Sequence, residues 1–270
     1  MSVGIWTFAL EGKKPAEIRD AALEVEDLGF DTLWFGEAYG REAFTQAAVL
    51  LAATSRLRVA TGIAQIALRE PAAAAGAERL LDQAYPGRFI HGLGGHRVGA
   101  RPVTSIRDYL AALDKELAEP APTRVIAALG PRMLEVARDH ADGAHPYFVP
   151  VSHTAFARGV LGPGKFLAVE QAVTFDPALA REHVGLYVKL APHHQANLRR
   201  LGFTDAEQAA VSPRLVDALV PVGEDAIAER VRAQFDAGAD HVCLQVLTGN
   251  DDIPLAEWRT LKEVVSGMTG

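Results

Sequence analysis

The sequence predicts a (β/α)8 barrel, and three observations carry that prediction. Short β-branched or aromatic runs alternate with longer helical stretches along the whole chain. Eight such strand–helix units fit within 270 residues, which is the arithmetic of this fold. The first strand–helix turn, Phe8-Ala9-Leu10-Glu11-Gly12, holds a single glycine. It therefore lacks the dinucleotide fingerprint expected of a doubly wound open sheet, the other fold with this alternation.

Each unit has a local reason. Residues 3–8 form the first strand, and residues 15–28 place Ile18, Ala21, Ala22, Val25 and Leu28 at helical spacing before Gly29 closes the helix. Residues 31–36 make the second strand, with a helix over 43–55, and residues 57–63 make the third. Pro71 opens a helix to 85, in the first turn where its missing N–H costs nothing. Residues 88–93 are the fourth strand, and 105–117 the helix after it, with Ile106, Tyr109, Leu110 and Leu113 on one face. The fifth strand spans 124–129, Gly130-Pro131 opens the next helix to 140, and residues 143–147 are a short sixth strand. Ser152 is the expected N-cap of a short helix. Residues 166–175 form the seventh strand. The stretch 177–219 is helical, broken at Pro192, Gly202 and Pro213, and reads as an insertion between strands seven and eight. An amphipathic helix over 224–237, the eighth strand over 240–247 and a terminal helix over 254–265 complete the chain as one domain, residues 1–270.

Composition bounds the function. Hydrophobic residues are 49% and charged residues 23%, the profile of an ordinary globule. The net charge of −7 argues against nucleic-acid binding. Apolar runs end well short of the roughly 20 residues a spanning helix needs. Glu11, Lys13 and Lys14 follow the first apolar run directly, so no signal peptide is expected and the chain reads as cytoplasmic. Cys243 is the one cysteine, which excludes internal disulfides and multi-cysteine metal sites and suits a reducing compartment. No carboxylate–histidine cluster has ligand spacing, and His193-His194 point about 100° apart on a helix, so no metal site is expected.

Barrels of this kind carry their chemistry at the C-terminal ends of the strands. The residues there are Trp6 to Phe8, Glu37, Gly62 to Gln65 (Ile63 and Ala64 among them), Gly92 to His96, Gly130, and His145 to Tyr147. Glu37 at the barrel rim can hold a bound ring by a hydrogen bond, or serve as a partner for Arg41. Gly92-Leu93-Gly94-Gly95 allows a flat ligand close to backbone, or makes a tight turn. Gly130-Pro131-Arg132 at a helix start can hold a phosphate, or simply cap a helix. His96 and His145 are the two histidines at strand ends, where a proton donor is useful. There is no Gly-x-Ser-x-Gly elbow, P-loop or His-Glu-x-x-His motif.

The succession of motifs resembles the bacterial luciferase-like, flavin- or deazaflavin-F420-dependent oxidoreductases. It runs from Leu28-Gly29-Phe30-Asp31-Thr32-Leu33-Trp34 to Glu37, through Arg56 to Ile63, Arg69-Glu70-Pro71 and Pro86-Gly87-Arg88-Phe89, to Gly92-Leu93-Gly94. Ala141-Asp142-Gly143-Ala144-His145-Pro146-Tyr147 and Ala237-Gly238-Ala239-Asp240-His241-Val242 continue it. The His145-Pro146-Tyr147 ending looks most like the F420-dependent subgroup.

The resemblance implies a cofactor ring over the barrel mouth, a homodimer, and a non-prolyl cis peptide at Gly62-Ile63 behind the ring. It also implies a phosphate-bearing tail over Gly130 and near Pro146 and Tyr147. The expected cofactor set is Trp6, Glu37, Gly62, Ile63, Ala64, Gly94, Gly130, Pro146 and Tyr147, with Glu37, His96 and His145 as catalytic candidates. Two departures stand out. Glu37-Ala38 replaces the Asp-His pair of sugar-phosphate oxidisers in this family, and the segment from Gly94 to Pro102 is short and carries no glutamate. A sugar-phosphate substrate is therefore disfavoured. The function expected is F420-dependent hydride transfer to or from a small organic substrate. The alternatives are an FMN-dependent luciferase-like monooxygenase and a barrel that binds its ligand without turnover.

Overall fold

Eight parallel strands close into a ring in the computed structural model, which describes residues 1–38, 40–96, 99–117 and 122–268. They are β1 (Ser2–Thr7), β2 (Thr32–Phe35), β3 (Arg58–Thr61), β4 (Phe89–Gly94), β5 (Thr123–Ile126), β6 (Gly143–Ala144), β7 (Phe166–Val173) and β8 (His241–Val246). Each pairs in parallel with the next. β8 pairs back onto β1 through Val3↔Val242 and Ile5↔Leu244, which closes the barrel. The (β/α)8 fold read from the sequence is the fold of the chain.

Helices α1 (Pro15–Asp27), α2 (Ala43–Ala53), α3 (Pro71–Ala84), α4 (Pro102–Glu116), α5 (Pro131–His140) and α6 (Val151–Leu161) follow the first six strands. α1 ends as its sequence requires. Gly29 takes φ +77°, and the N–H groups of Gly29 and Phe30 reach back to the carbonyls of Glu26 and Val25. Four helices, α7 (Pro177–Leu190), α8 (Pro192–Arg200), α9 (Asp205–Ala210) and α10 (Pro213–Leu219), occupy the stretch between β7 and α11 (Glu224–Asp236). α12 (Leu255–Val264) packs against α1 and α11.

Two local expectations are corrected. α6 begins at Val151 after Pro150, with no side-chain cap, so Ser152 lies inside the helix and is not its N-cap. The third strand does not run unbroken to residue 63. It stops at Thr61, the peptide between Gly62 and Ile63 is cis, and pairing resumes at Ala64↔Leu93 and Gln65↔Gly94.

Alternation along the strands sorts side chains to two sides. Trp6, Trp34, Ala60, Ile90, Val125, Ala168 and Cys243 fill the barrel interior. Leu33, Val59, Phe89, Val169 and Val242 face outward and join the helices in the main core. A charged network is buried on the outer side. Glu78 on α3 meets His91 on β4, accepts from Arg124 on β5 at 3.1 Å, and Arg124 reaches Asp114 at 2.6 Å. Burial alone would raise the Glu78 carboxyl, but His91 and Arg124 together hold it below its ordinary value of 4.5.

The sign of that shift fixes a prediction. A depressed carboxyl stabilises the folded state above pH 4.5 and loses its contribution as pH falls below that value. Glu78→Ala leaves Arg124 without its buried partner and is expected to cost about 3–5 kcal/mol at pH 7. Urea unfolding at pH 7 and pH 3 measures this, and the gap between variant and wild type should shrink at the lower pH.

Candidate functional site

The mouth of the barrel is built around a side chain that is missing. A Cβ on Gly62 would lie 2.5 Å from the Trp6 indole nitrogen and 2.9 Å from His145 Nε2. The rings of Trp6 and His145 therefore press against bare backbone there. His145 stacks on Trp34 with centroids 4.3 Å apart, and its Nδ1 lies 2.9 Å from the Ala168 carbonyl. A carbonyl only accepts, so Nδ1 carries the ring proton and Nε2 faces Gly62 as a lone pair with no partner. Burial pushes the His145 pKa down to about 4, so the ring is neutral at pH 7. The Trp6 indole N–H also has no acceptor. Phe8 meets Trp6 edge-on at 4.5 Å, and Tyr147 stands 5.1 Å from it on the other side.

Glu37 locks this floor to the outer helices. Its side chain is 1% exposed, and the carboxylate accepts from the Ala43 N–H at 3.0 Å and the Gln65 N–H at 2.7 Å. Arg69 closes both oxygens from the other side, through Nη1 to Oε2 at 3.0 Å and through Nη2 to Oε1. The Glu37 backbone N–H donates to the Ile63 carbonyl at 3.2 Å. One side chain thus ties the end of β2, the resumed third strand and the start of α2 together.

Several strand-end residues keep part of their surface exposed, and they outline the opening: Phe8, Gly62, Ile63, Ala127, Gly130 and Tyr147. The Tyr147 hydroxyl donates to Gln245 Oε1 at 2.8 Å and lies 2.7 Å from the Tyr187 hydroxyl. Gly130 is the residue before α5, and Arg200 Nη1 comes within 3.7 Å of where its Cβ would be. A cavity of about 580 Å³ adjoins the opening between the ends of β1 and β8 and helix α7. Glu11, Glu182 and Asp251 line it together with His183 and Gln245, and among the described residues no lysine or arginine does.

The structure brings the expected residues together unevenly. Trp6, Gly62, Ile63, His145 and Tyr147 share the mouth. Ala64 and Pro146 are buried behind it. Three expected roles change. Glu37 does not offer an oxygen to the opening, because two backbone N–H groups and Arg69 occupy its acceptors. His145 has no N–H free to deliver as a proton donor, since its single one serves Ala168. Gly94 is glycine because Ile63 Cδ1 and the Ala127 Cβ would lie 2.7 and 2.9 Å from any Cβ there, and not to admit a ring. His96 is exposed beyond β4 and lies near His193.

Sequence reasoning missed Arg69, Gln245, Arg200 and the buried Glu170. For Glu170 a signal existed: it is the lone acidic residue in the run Phe166-Leu167-Ala168-Val169-Glu170-Gln171-Ala172-Val173, at the inward parity of Ala168. Among the described residues no group of three or more His, Cys, Asp or Glu side chains is placed to hold a metal ion, and no helix is long and apolar enough to cross a membrane.

The clamp on Glu37 sets an expectation for mutation. Glu37→Gln presents an amide to the donors of Arg69 and should cost about 3 kcal/mol, a fall of roughly 6–12 °C in Tm. Scanning calorimetry of the unliganded variant is the measurement, and an unchanged Tm would show the clamp to be idle.

Comparison with known proteins gives concordant relatives. The family model for luciferase-like monooxygenases matches residues 1–107. A Mycobacterium tuberculosis protein named as a coenzyme F420-dependent oxidoreductase is 30% identical over 165 residues, 57% of this chain and 45% of the relative. The aligned part thus spans less than half the length of that relative. An F420-dependent secondary alcohol dehydrogenase, solved in complex with an F420–acetone adduct, superposes with a TM-score of 0.73 at 17% identity, covering 97% of each chain. The oxygenating constituent of 3,6-diketocamphane monooxygenase from Pseudomonas putida, solved in complex with FMN, superposes at 0.68 with 17% identity, covering 99% of this chain and 97% of its own. The match to the luciferase-like monooxygenase family model is thus confined to residues 1–107, while the barrel fold is shared with these solved oxidoreductases over nearly their whole length.

Proposed function

We propose that the protein is an F420-dependent oxidoreductase that transfers a hydride between the deazaflavin and a small organic substrate. The observation that carries the reading is the partly exposed Gly62–Ile63 backbone at the mouth, floored by Trp6 and His145 and flanked by Tyr147. A flat ring fits a floor that has no side chain standing up from it. The unpartnered Trp6 N–H and His145 Nε2 directly beneath Gly62 mark that floor as polar at its base. The M. tuberculosis relative named for F420 supports the same cofactor.

The bound deazaflavin would supply the carbon that gives or takes the hydride. The chain's own residues do the rest. Gly62, Ile63 and Tyr147 receive the ring. The α5 N-terminus at Gly130, with Arg200 beside it, holds the phosphate of the tail. Glu37 acts as a positioning residue, fixing Ile63 through the Glu37 N–H. Ala64, Gly94 and Pro146 support this surface from behind. Of the two strand-end histidines, His96, exposed on the rim, is the one left as a proton donor, since the single N–H of His145 serves Ala168.

The substrate occupies the cavity beside β1, β8 and α7. Its lining of Glu11, Glu182 and Asp251, with no lysine or arginine among the described residues, repels phosphate esters and accepts neutral or cationic molecules. An FMN-dependent monooxygenase is the second reading, favoured by the FMN-bound 3,6-diketocamphane monooxygenase constituent that shares the fold. We carry over from the family resemblance a homodimer in the cytoplasm, for which the buried free thiol of Cys243 is suited.

Separate titrations with oxidised F420 and FMN discriminate the cofactors. Saturable F420 binding with FMN at least tenfold weaker is expected; the reverse order selects the monooxygenase. Tight F420 binding with no oxidation of the reduced cofactor by any of a panel of acceptors would select the barrel without turnover. Arg200→Ala removes a charged donor from the tail site, worth about tenfold in F420 affinity. Undiminished affinity in that variant would remove Arg200 from the site. Sedimentation at micromolar concentration is expected to give a dimer, and a monomer would reject that assembly.

A further inference from the structure

The interior of the barrel holds one acidic group that the reading above does not use. β7 sends Ala168 inward, and Glu170 follows on the same side one layer nearer the mouth. Glu170 is 1% exposed. Its Oε2 accepts the N–H of Phe148 at 2.9 Å, and its own N–H donates to the Pro146 carbonyl at 3.1 Å. Oε1 is buried with no partner, and among the described residues no cation pairs with this carboxyl.

Those two hydrogen bonds clasp the turn that carries Tyr147. The turn needs a clasp, because Phe148 is a non-glycine residue at φ +56°. The Phe148 ring stacks on Tyr187 at 4.8 Å and meets His194 edge-on. Tyr147 is therefore fixed twice, at its base by Glu170 and at its hydroxyl by Gln245 and Tyr187. A buried carboxyl with one neutral partner lowers stability relative to an apolar residue of its size. Retaining it points to a use other than holding the fold.

We propose that Glu170 is the positioning residue of the mouth, clasping the Pro146–Phe148 turn so that Tyr147 stands against the cofactor-binding face. The consequence for cofactor binding rests on the function proposed above; the clasp itself does not.

The clasp has a pH signature. Burial raises the Glu170 carboxyl to about 8, against a smaller opposing effect of the Phe148 N–H, so it is protonated at neutral pH. The titratable groups that face it are Tyr147 on the β6 turn and Cys243 on β8, both uncharged and both pushed up by burial. His145 at the end of β6 is neutral as well. Among the described residues nothing nearby offsets a negative charge, so ionisation above pH 8 places a bare carboxylate under the mouth and repels an anionic cofactor. The stability sign is the reverse of that for Glu78. A carboxyl raised on folding loses stability as pH climbs from 4.5 to about 8 and no further beyond.

The test uses the intact protein with Glu170→Gln and Glu170→Leu, F420 as the probe, and selective ¹⁵N-phenylalanine labelling to follow the Phe148 amide. Wild-type affinity is expected to fall about tenfold between pH 7 and pH 9. Glu170→Gln keeps an acceptor for Phe148 and should restore wild-type affinity at pH 6.5 within twofold, with a flat profile. Glu170→Leu should melt cooperatively and bind at least fivefold more weakly than Glu170→Gln at every pH. Wild-type affinity in Glu170→Leu, or the same pH profile in wild type and Glu170→Gln, would overturn the proposal. If wild type binds neither F420 nor FMN, the cofactor reading fails and the amide decides the clasp. A Phe148 resonance that titrates near pH 8 in wild type and not in Glu170→Gln upholds it; one that does not titrate, or titrates in both, overturns it.

Discussion

Close approach to bare backbone at Gly62 is the constraint on which the mouth depends. Two buried rings from different strands, Trp6 and His145, converge on the space where any other residue would carry a Cβ. Once they are there, the third strand cannot simply continue upward, and it resumes only at Ala64. Glu37 then has to secure the interruption from outside, which explains why its carboxylate is spent on Ala43, Gln65 and Arg69. The ring-lined floor, with its two unpartnered nitrogens, rests on the same missing methyl group.

The fold was legible because periodicity reports burial, and burial is what a parallel barrel distributes regularly. All eight strands and their helices lie where alternation and helical spacing put them, with ends displaced by a few residues. Strand ends were less legible for a physical reason. Residues such as His145 to Tyr147 continue an apolar run, yet they leave the ladder because the chain must turn over the rim, so pattern alone extends the strand too far. Ser152 misled in the other direction: a good capping residue one position inside a helix whose start Pro150 and Val151 already define.

The site was partly legible. Position along the chain identified the residues at the mouth, since strand ends are set by topology. Roles were not legible, because a role depends on where hydrogen bonds go. Glu37 and Arg69 lie 32 residues apart, and nothing in either local sequence shows that each saturates the other. The proton on His145 is assigned by a carbonyl on the neighbouring strand, which no reading of His145-Pro146-Tyr147 can anticipate. Glu170 was visible in principle, as a lone acid at an inward position in an otherwise apolar strand.

The helices α7 to α10 build a second hydrophobic cluster on Val184, Leu198, Phe203, Leu215 and Leu219, which also takes in Ala172 of β7 and Phe148 at the rim. Aromatic contacts of Tyr147 and Phe148 with Tyr187 and His194 join that unit to the rim. A unit seated on the rim in this way carries any change in α7 or α8 directly to Tyr147 and Phe148. The helical cover and the mouth are in this sense one packed piece, so a substitution in the cover is felt at the opening.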